Sequence, residues 1–171
     1  MSMKSTPEML RLKTLLGAAP RSPLQTHGLG ESDCEVLRLG DGRFLASTVD
    51  SVAEEITAGL YKDPYTMGWV AAQASLSDLA AVGAEPLGLL FSAQWGPRCD
   101  DEFKTRAHEG FNDALKDAGT ALLGGDTGGA ASTVLTGVGL GICDTKPLTR
   151  TGIRPGDVIC MTGAVGRGPA L

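Results

Sequence analysis

Residues 63–95, DPYTMGWVAAQASLSDLAAVGAEPLGLLFSAQW, constrain the fold more than any other stretch. Met67, Val70, Ala71, Ala74, Leu76, Leu79 and Ala80 recur at helical spacing. Pro64 suits a first helical turn and Gly83 a helix end. The run EPLGLLFSAQW then predicts a strongly apolar strand. One carboxylate, Asp78, lies among almost wholly small or apolar neighbours. Burying a lone carboxylate is costly, so a cation or a strong donor is expected to answer it.

The rest of the chain alternates in the same way. TPEMLRLKTLL has Thr6 as a helix cap, Pro7 in the first turn and an apolar set of Met9, Leu10, Leu12, Leu15 and Leu16. GAAPRSPLQTHGLGES reads as an irregular or mobile connector. Two strand-like runs flank Gly40-Asp41-Gly42, which predicts a β-hairpin whose second strand ends on Asp50. CDDEFKTRAHEGFNDALKDAG predicts a helix started by acidic residues and closed by Gly119, with Phe103, Ala107, Phe111 and Leu115 on one stripe. Strands are expected at TALLGG, STVLTGVGLGI and DVICMT. Strands and helices are mixed with several antiparallel pairings, so the expected class is α+β.

Composition narrows the function. Lys and Arg number 15 against 20 Asp and Glu, a net charge of −5, and no block of five like charges occurs. A nucleic-acid stripe or a polybasic membrane patch is therefore not expected. No apolar run approaches the ~20 residues that span a bilayer. Cys34, Cys99, Cys143 and Cys160 are widely spaced, which argues against a zinc site and for small, buried or half-buried hydrophobes in a reducing cytoplasm. Trp69 and Trp95 are expected in the core or an interface, His108 in solvent, and His27 in a loop.

Gly accounts for 24 of 171 residues, about twice the usual share. The excess peaks in ALLGGDTGGA, where four glycines surround Asp126. Asp33, Asp50, Asp78 and Asp126 all fall where elements begin, end or turn. Each has a plain structural alternative as a turn or cap. Together, converging carboxylates stay ionised only around cations. An oxygen-only set favours Mg²⁺, which commonly also holds phosphates. Glycines beside Asp126 would let backbone N–H groups approach those phosphates.

Across about residues 28–171, STVD, LSDLAAVGAEP, LLGGDT and LTRTGIRPGD together resemble the N-terminal half of the thiamine-monophosphate kinase family. That family shares a superfamily with aminoimidazole ribonucleotide synthetase, selenophosphate synthetase and a hydrogenase maturation factor. The resemblance implies a four-stranded, mainly antiparallel sheet flanked by helices, with the sheets of two subunits forming a barrel in a homodimer. It implies ATP and Mg²⁺ as cofactors, with Asp33, Asp50, Asp78 and Asp126 as metal ligands. Gly125, Asp126 and Arg150 would bind the nucleotide, and phosphoryl transfer to a small phosphorylated acceptor would need no side-chain nucleophile. Residues 1–31 would be a helix and connector, 32–148 the nucleotide domain, and 149–171 a linker and first strand of a second domain otherwise absent. The alternatives are another superfamily member with a different substrate and a non-catalytic dimerisation module. This chain departs from the family at Glu31-Ser32-Asp33, where two adjacent aspartates are usual, and at Val49, often Thr. Thr57 stands where the kinases carry a substrate-contacting His, and Gly129 replaces an Arg.

Overall fold

A helix-and-strand alternation emerges in the computed structural model, which describes residues 7–161 and 163. The elements are α1 (Pro7–Leu16), β1 (Glu35–Arg38), β2 (Phe44–Ser51), α2 (Ala53–Thr57), α3 (Pro64–Val82), β3 (Glu85–Trp95), α4 (Asp101–Asp117), β4 (Leu122–Gly129) and β5 (Val134–Cys143). Thr6, expected as the cap of α1, lies outside the described residues. The short α2 was not anticipated, because five residues carry too little periodicity to read. α3 begins as its sequence predicts: Asp63 caps Thr66, Pro64 opens the first turn, and Gly83 closes the helix at φ 76°.

The strands form one sheet in the order β1-β2-β5-β3-β4. This corrects the expectation of four mainly antiparallel strands to five in a mixed sheet. β3 and β4 run parallel because α4 carries the chain back across the sheet before β4 begins. The other pairings are antiparallel. A second correction concerns Asp126. It sits inside β4, paired with Ser92, rather than in a turn. Glycine-rich sequence reads as turn, yet here its main chain continues the ladder.

α3 lies over β2 and β5, and α4 lies over β3 and against α3. Both cover the same face. Along β5 the buried positions Leu135, Gly137, Gly139, Gly141 and Cys143 lie on that side, where Gly137 abuts Ala71 and Ser75 and Gly139 abuts Leu79. The main core gathers Leu89, Phe91, Trp95, Phe111 and Leu135 with Met67, Ala71 and Leu76 of α3. A smaller cluster of Cys34, Val36, Ala46, Leu79, Val82 and Cys143 sits at the β1 end. The opposite face has no helix on it among the described residues. It presents Leu37, Leu45, Leu140 and Ile142, half-buried, with Leu90 and Val49, the last 66% exposed.

Three smaller expectations also change. The connector is irregular but anchored to β1, with Gln25 bridged to Leu37 and the Thr26 N–H donating to the Val36 carbonyl. His108 packs edge-on against Phe91 and beside Trp95 rather than facing solvent, and burial lowers its pKa. Cys34 and Cys143 are buried and Cys99 half-buried as expected, whereas Cys160 is exposed. A strand is expected over residues 157–162; Thr162 lies outside the described residues, and 157–161 pair with none of the five strands, with Ile159 96% exposed. Trp95 is in the core and Trp69 packs partly against it. No helix among the described residues is long and apolar enough to cross a membrane.

Candidate metal centre

Asp78 is carried on the sheet-facing side of α3, and β2 answers it with a strong donor. Thr48 Oγ1 donates to Asp78 Oδ2 at 2.6 Å, a charge-assisted bond at short range. Strand periodicity then puts Asp50, two residues along, on the same face as Thr48. Burial holds the Asp50 carboxyl above its ordinary pKa, and the negative charges of Asp78 and Glu55 add to the effect.

Asp33 joins this patch from the bend before β1. It forms an ion pair with Arg150, whose backbone N–H also donates to the Glu31 carbonyl at 2.8 Å. The segment after β5 is thereby tied to the chain entering β1. The bond to Asp33 raises the Arg150 pKa further, against burial, with the Asp33 and Asp78 charges contributing. Cys34 is buried within reach of these charges. Burial chiefly, then Asp78, Asp33 and Cys143, push its thiol up to about 12.

The structure therefore puts Asp78 within electrostatic reach of Asp50 and of the Arg150–Asp33 pair. It does not bring Asp126 there. Asp50 pairs with Gly137, Gly137 with Phe91, and Phe91 with Gly125, so Asp126 is one step along and three strands away. That is ~14 Å across the sheet. Asp126 also accepts from Gln94 Nε2 at 3.2 Å on the uncovered face, opposite Asp50. Gly125 has a packing reason to be glycine: a Cβ there would meet the Phe91 carbonyl oxygen at 2.0 Å.

Two participants escaped the sequence reading. Thr48 lies in STVD two residues before Asp50, and that alternation is its signal in the sequence. Glu55 follows Asp50 on α2, and one of an adjacent Glu54-Glu55 pair gives no signal without the helix orientation. Its Oε2 is buried with no hydrogen-bond partner, as is Ser32 Oγ beside Asp33. All the donors are oxygens, which suits Mg²⁺. Among the described residues no three His, Cys, Asp or Glu side chains are grouped closely enough to hold an ion by themselves. The unpartnered Glu55 and Ser32 oxygens add two buried oxygen atoms near these carboxylates.

The departures noted in the sequence can now be located. Val49 points to the uncovered face, away from Asp50. Thr57 ends α2 and lines a cavity of about 420 Å³ with Met67, Arg98, Cys99 and Thr133. A Cβ at Gly129 would meet nothing within 4 Å.

Residues 31–143 match the family described as AIR synthase related protein, N-terminal domain. The chain belongs to that family. Its relatives include the thiamine-monophosphate kinase of Methanocaldococcus jannaschii, 30% identical over 138 residues that make up 80% of this chain and 43% of the relative. The selenide, water dikinase of Geobacter sp. (strain M21) is 34% identical over 142 residues, 81% of this chain and 40% of that protein. The solved structure of AaThiL complexed with AMPPCP and TMP shares the fold at a TM-score of 0.70 and 19% identity, covering 90% of this chain and 48% of that one. The chain thus spans less than half the length of these proteins.

Proposed function

We propose that residues 32–148 form the ATP- and Mg²⁺-binding domain of a cytoplasmic kinase that moves a phosphoryl group from ATP to a small phosphorylated acceptor. The observation that carries this reading is the run of charges centred on Asp78, which acts on Asp50 on one hand and on Arg150, paired with Asp33, on the other. Carboxylates gathered in this way are stabilised by cations. Mg²⁺ held here would neutralise phosphate charge during the transfer. Asp33, Asp50 and Asp78 would hold it, and Thr48 would fix the Asp78 carboxylate in place. Arg150 stands ready to exchange part of its bond with Asp33 for a phosphate oxygen. Support comes from the thiamine-monophosphate kinases among the relatives and from the ATP analogue in the AaThiL complex. Residues 149–171 would lead into a second domain, since the relatives are about twice as long.

Asp126 enters this reading through a homodimer. Its face of the sheet is apolar and carries no helix among the described residues, and a second copy laid on it would bury Leu90, Val138 and Leu140 and form the two-sheet barrel. Asp126 would then line that interface, and Gly125, on the helix-covered face, would present its backbone to the nucleotide. A different acceptor is the second reading. Thr57, in place of the kinases' His, and the Geobacter dikinase at 34% identity favour it.

Calorimetric titration with AMPPCP, with and without Mg²⁺, tests the main reading. Mg²⁺-dependent binding that Asp78→Asn removes is the expected result. Unchanged binding in Asp78→Asn and Asp126→Asn would overturn it. With a chain extended to the length of the relatives, turnover of thiamine phosphate would exclude the different-acceptor reading. Sedimentation tests the dimer, and a monomer at micromolar concentration would count against it.

A further inference from the structure

A second cavity, of about 520 Å³, lies at the opposite end of the β1–β2 hairpin from Asp50. The anchored connector supplies Thr26 and His27, β1 supplies Arg38, and the segment after β5 supplies Lys146, Thr149 and Thr151. Phe44 and the buried Pro147 add an apolar surface.

The charges around it are distributed unevenly. Glu35 is paired with Arg21 at 3.1 Å, and Asp41 with Arg43 at 2.8 Å. Asp144 acts on Arg43 as well. Glu31 lines the cavity but accepts the Gly28 N–H at 2.8 Å. Arg38 and Lys146 form no ion pair among the described residues, although the chain carries a net charge of −5. Two cations thus face one open-sided cavity against a single carboxylate, that of Glu31. Hydroxyls flank them: Thr149 and Thr151 Oγ1 lie 3.0 Å apart, and Thr26 Oγ1 meets His27 Nδ1 at 2.9 Å. Each hydroxyl keeps a lone pair or a proton for a ligand.

We propose that this cavity binds a phosphate ester, with Arg38 and Lys146 on the phosphate and its flat apolar part on Phe44. The site is separate from the carboxylate patch and goes beyond the reading of that patch. Arg supplies a planar fork and Lys a point charge, a combination suited to a dianion. Thr149 and Thr151 flank Arg150, so the cavity adjoins the segment that holds Asp33. The phosphate could therefore come from the nucleotide itself or from a separate small molecule.

The test is amide chemical-shift mapping of the whole chain with inorganic phosphate and with phenyl phosphate, both without Mg²⁺. Shifts confined to Arg38, Lys146 and residues 149–151 are expected, with phenyl phosphate binding more tightly. The double variant Arg38→Ala, Lys146→Ala, both exposed positions, should weaken binding about tenfold or more. Asp78→Asn should leave it unchanged, which separates this site from the metal patch. Scattered shifts, or equal affinity in the double variant, would overturn the proposal. Displacement of phenyl phosphate by Mg²⁺-free AMPPCP would identify the nucleotide as the source, and failure to displace it would identify a separate ester. Both outcomes keep the cavity as a phosphate site.

Discussion

α3 and α4 cross on a pair of glycines, and replacing one of them should destabilise the protein against its helix propensity. A Cβ at Gly68 would lie 1.8 Å from the Ala107 carbonyl oxygen, and one at Gly110 would lie 1.9 Å from that of Tyr65. Both obstacles are backbone, so no rotamer change relieves them. Gly68→Ala must move the helices apart by roughly 1 Å, and a gap of that size forfeits a quarter to a half of each dispersion contact it opens. The interface includes Met67, Ala71, Ala107, Phe111 and Ala114, all buried. The overpacking cost is put at about 3 kcal/mol, and the gain in helix propensity at about 1 kcal/mol. The net expectation is a loss of about 2 kcal/mol. Urea denaturation followed by circular dichroism measures it, and Ala80→Gly on the exposed side of α3 calibrates the propensity term. Because the two glycines share one crossing, Gly68→Ala and Gly110→Ala together should cost less than their sum. A Gly68→Ala protein more stable than the parent would refute the argument. It would show that the crossing yields easily and that propensity decides.

Three further outcomes follow from the site. Thr48→Val removes the donor to Asp78 and should cost about 2 kcal/mol; Thr48→Ser should retain most of it, and equal losses in both would point to packing instead. Asp50 has a raised pKa in the folded state, so its contribution is fully present below the ordinary carboxyl value of 3.8 and is lost as pH rises through the raised value. Asp50→Asn should therefore be more stable than the parent at neutral pH, and the gain should vanish in acid; denaturation at several pH values would reveal a loss at neutral pH if the reasoning fails. A thiol reagent at neutral pH should modify exposed Cys160 quickly and leave Cys34 untouched until denaturant is added, because Cys34 is 3% exposed and its thiol is pushed up to about 12; early modification of Cys34 would contradict the burial.

Much of this fold was legible because its signals are local. Asp63, Pro64 and Gly83 bound α3 through their own backbone chemistry, and β5 alternates buried and half-buried residues from Val134 to Cys143. Asp78 announced itself by contrast with its neighbours, and Thr48 supplies the strong donor that the cost of burial demanded. The phosphate cavity gave no such signal, since Arg38 and Lys146 are 108 positions apart by sequence number and meet only through the sheet.

Asp126 shows why local reading fails for the rest of the site. Its glycine neighbours suggested a turn, because glycine is permissive and its backbone role depends on what lies opposite. At Gly125 the opposing group is the Phe91 carbonyl of a parallel neighbour, which the sequence places more than thirty residues away. Face is harder still to read, because it is a parity carried through every intervening pairing. Counting from Asp50 through Gly137 and Phe91 to Gly125 leaves Asp126 on the opposite side of the sheet. A single subunit cannot close its side chain onto the ion that Asp78 would hold without breaking the ladder between Ser92 and Asp126. A site built on Asp50 and Asp78 would therefore lie on the face opposite the Asp126 side chain, and Asp78→Asn should impair Mg²⁺-dependent nucleotide binding more than Asp126→Asn does.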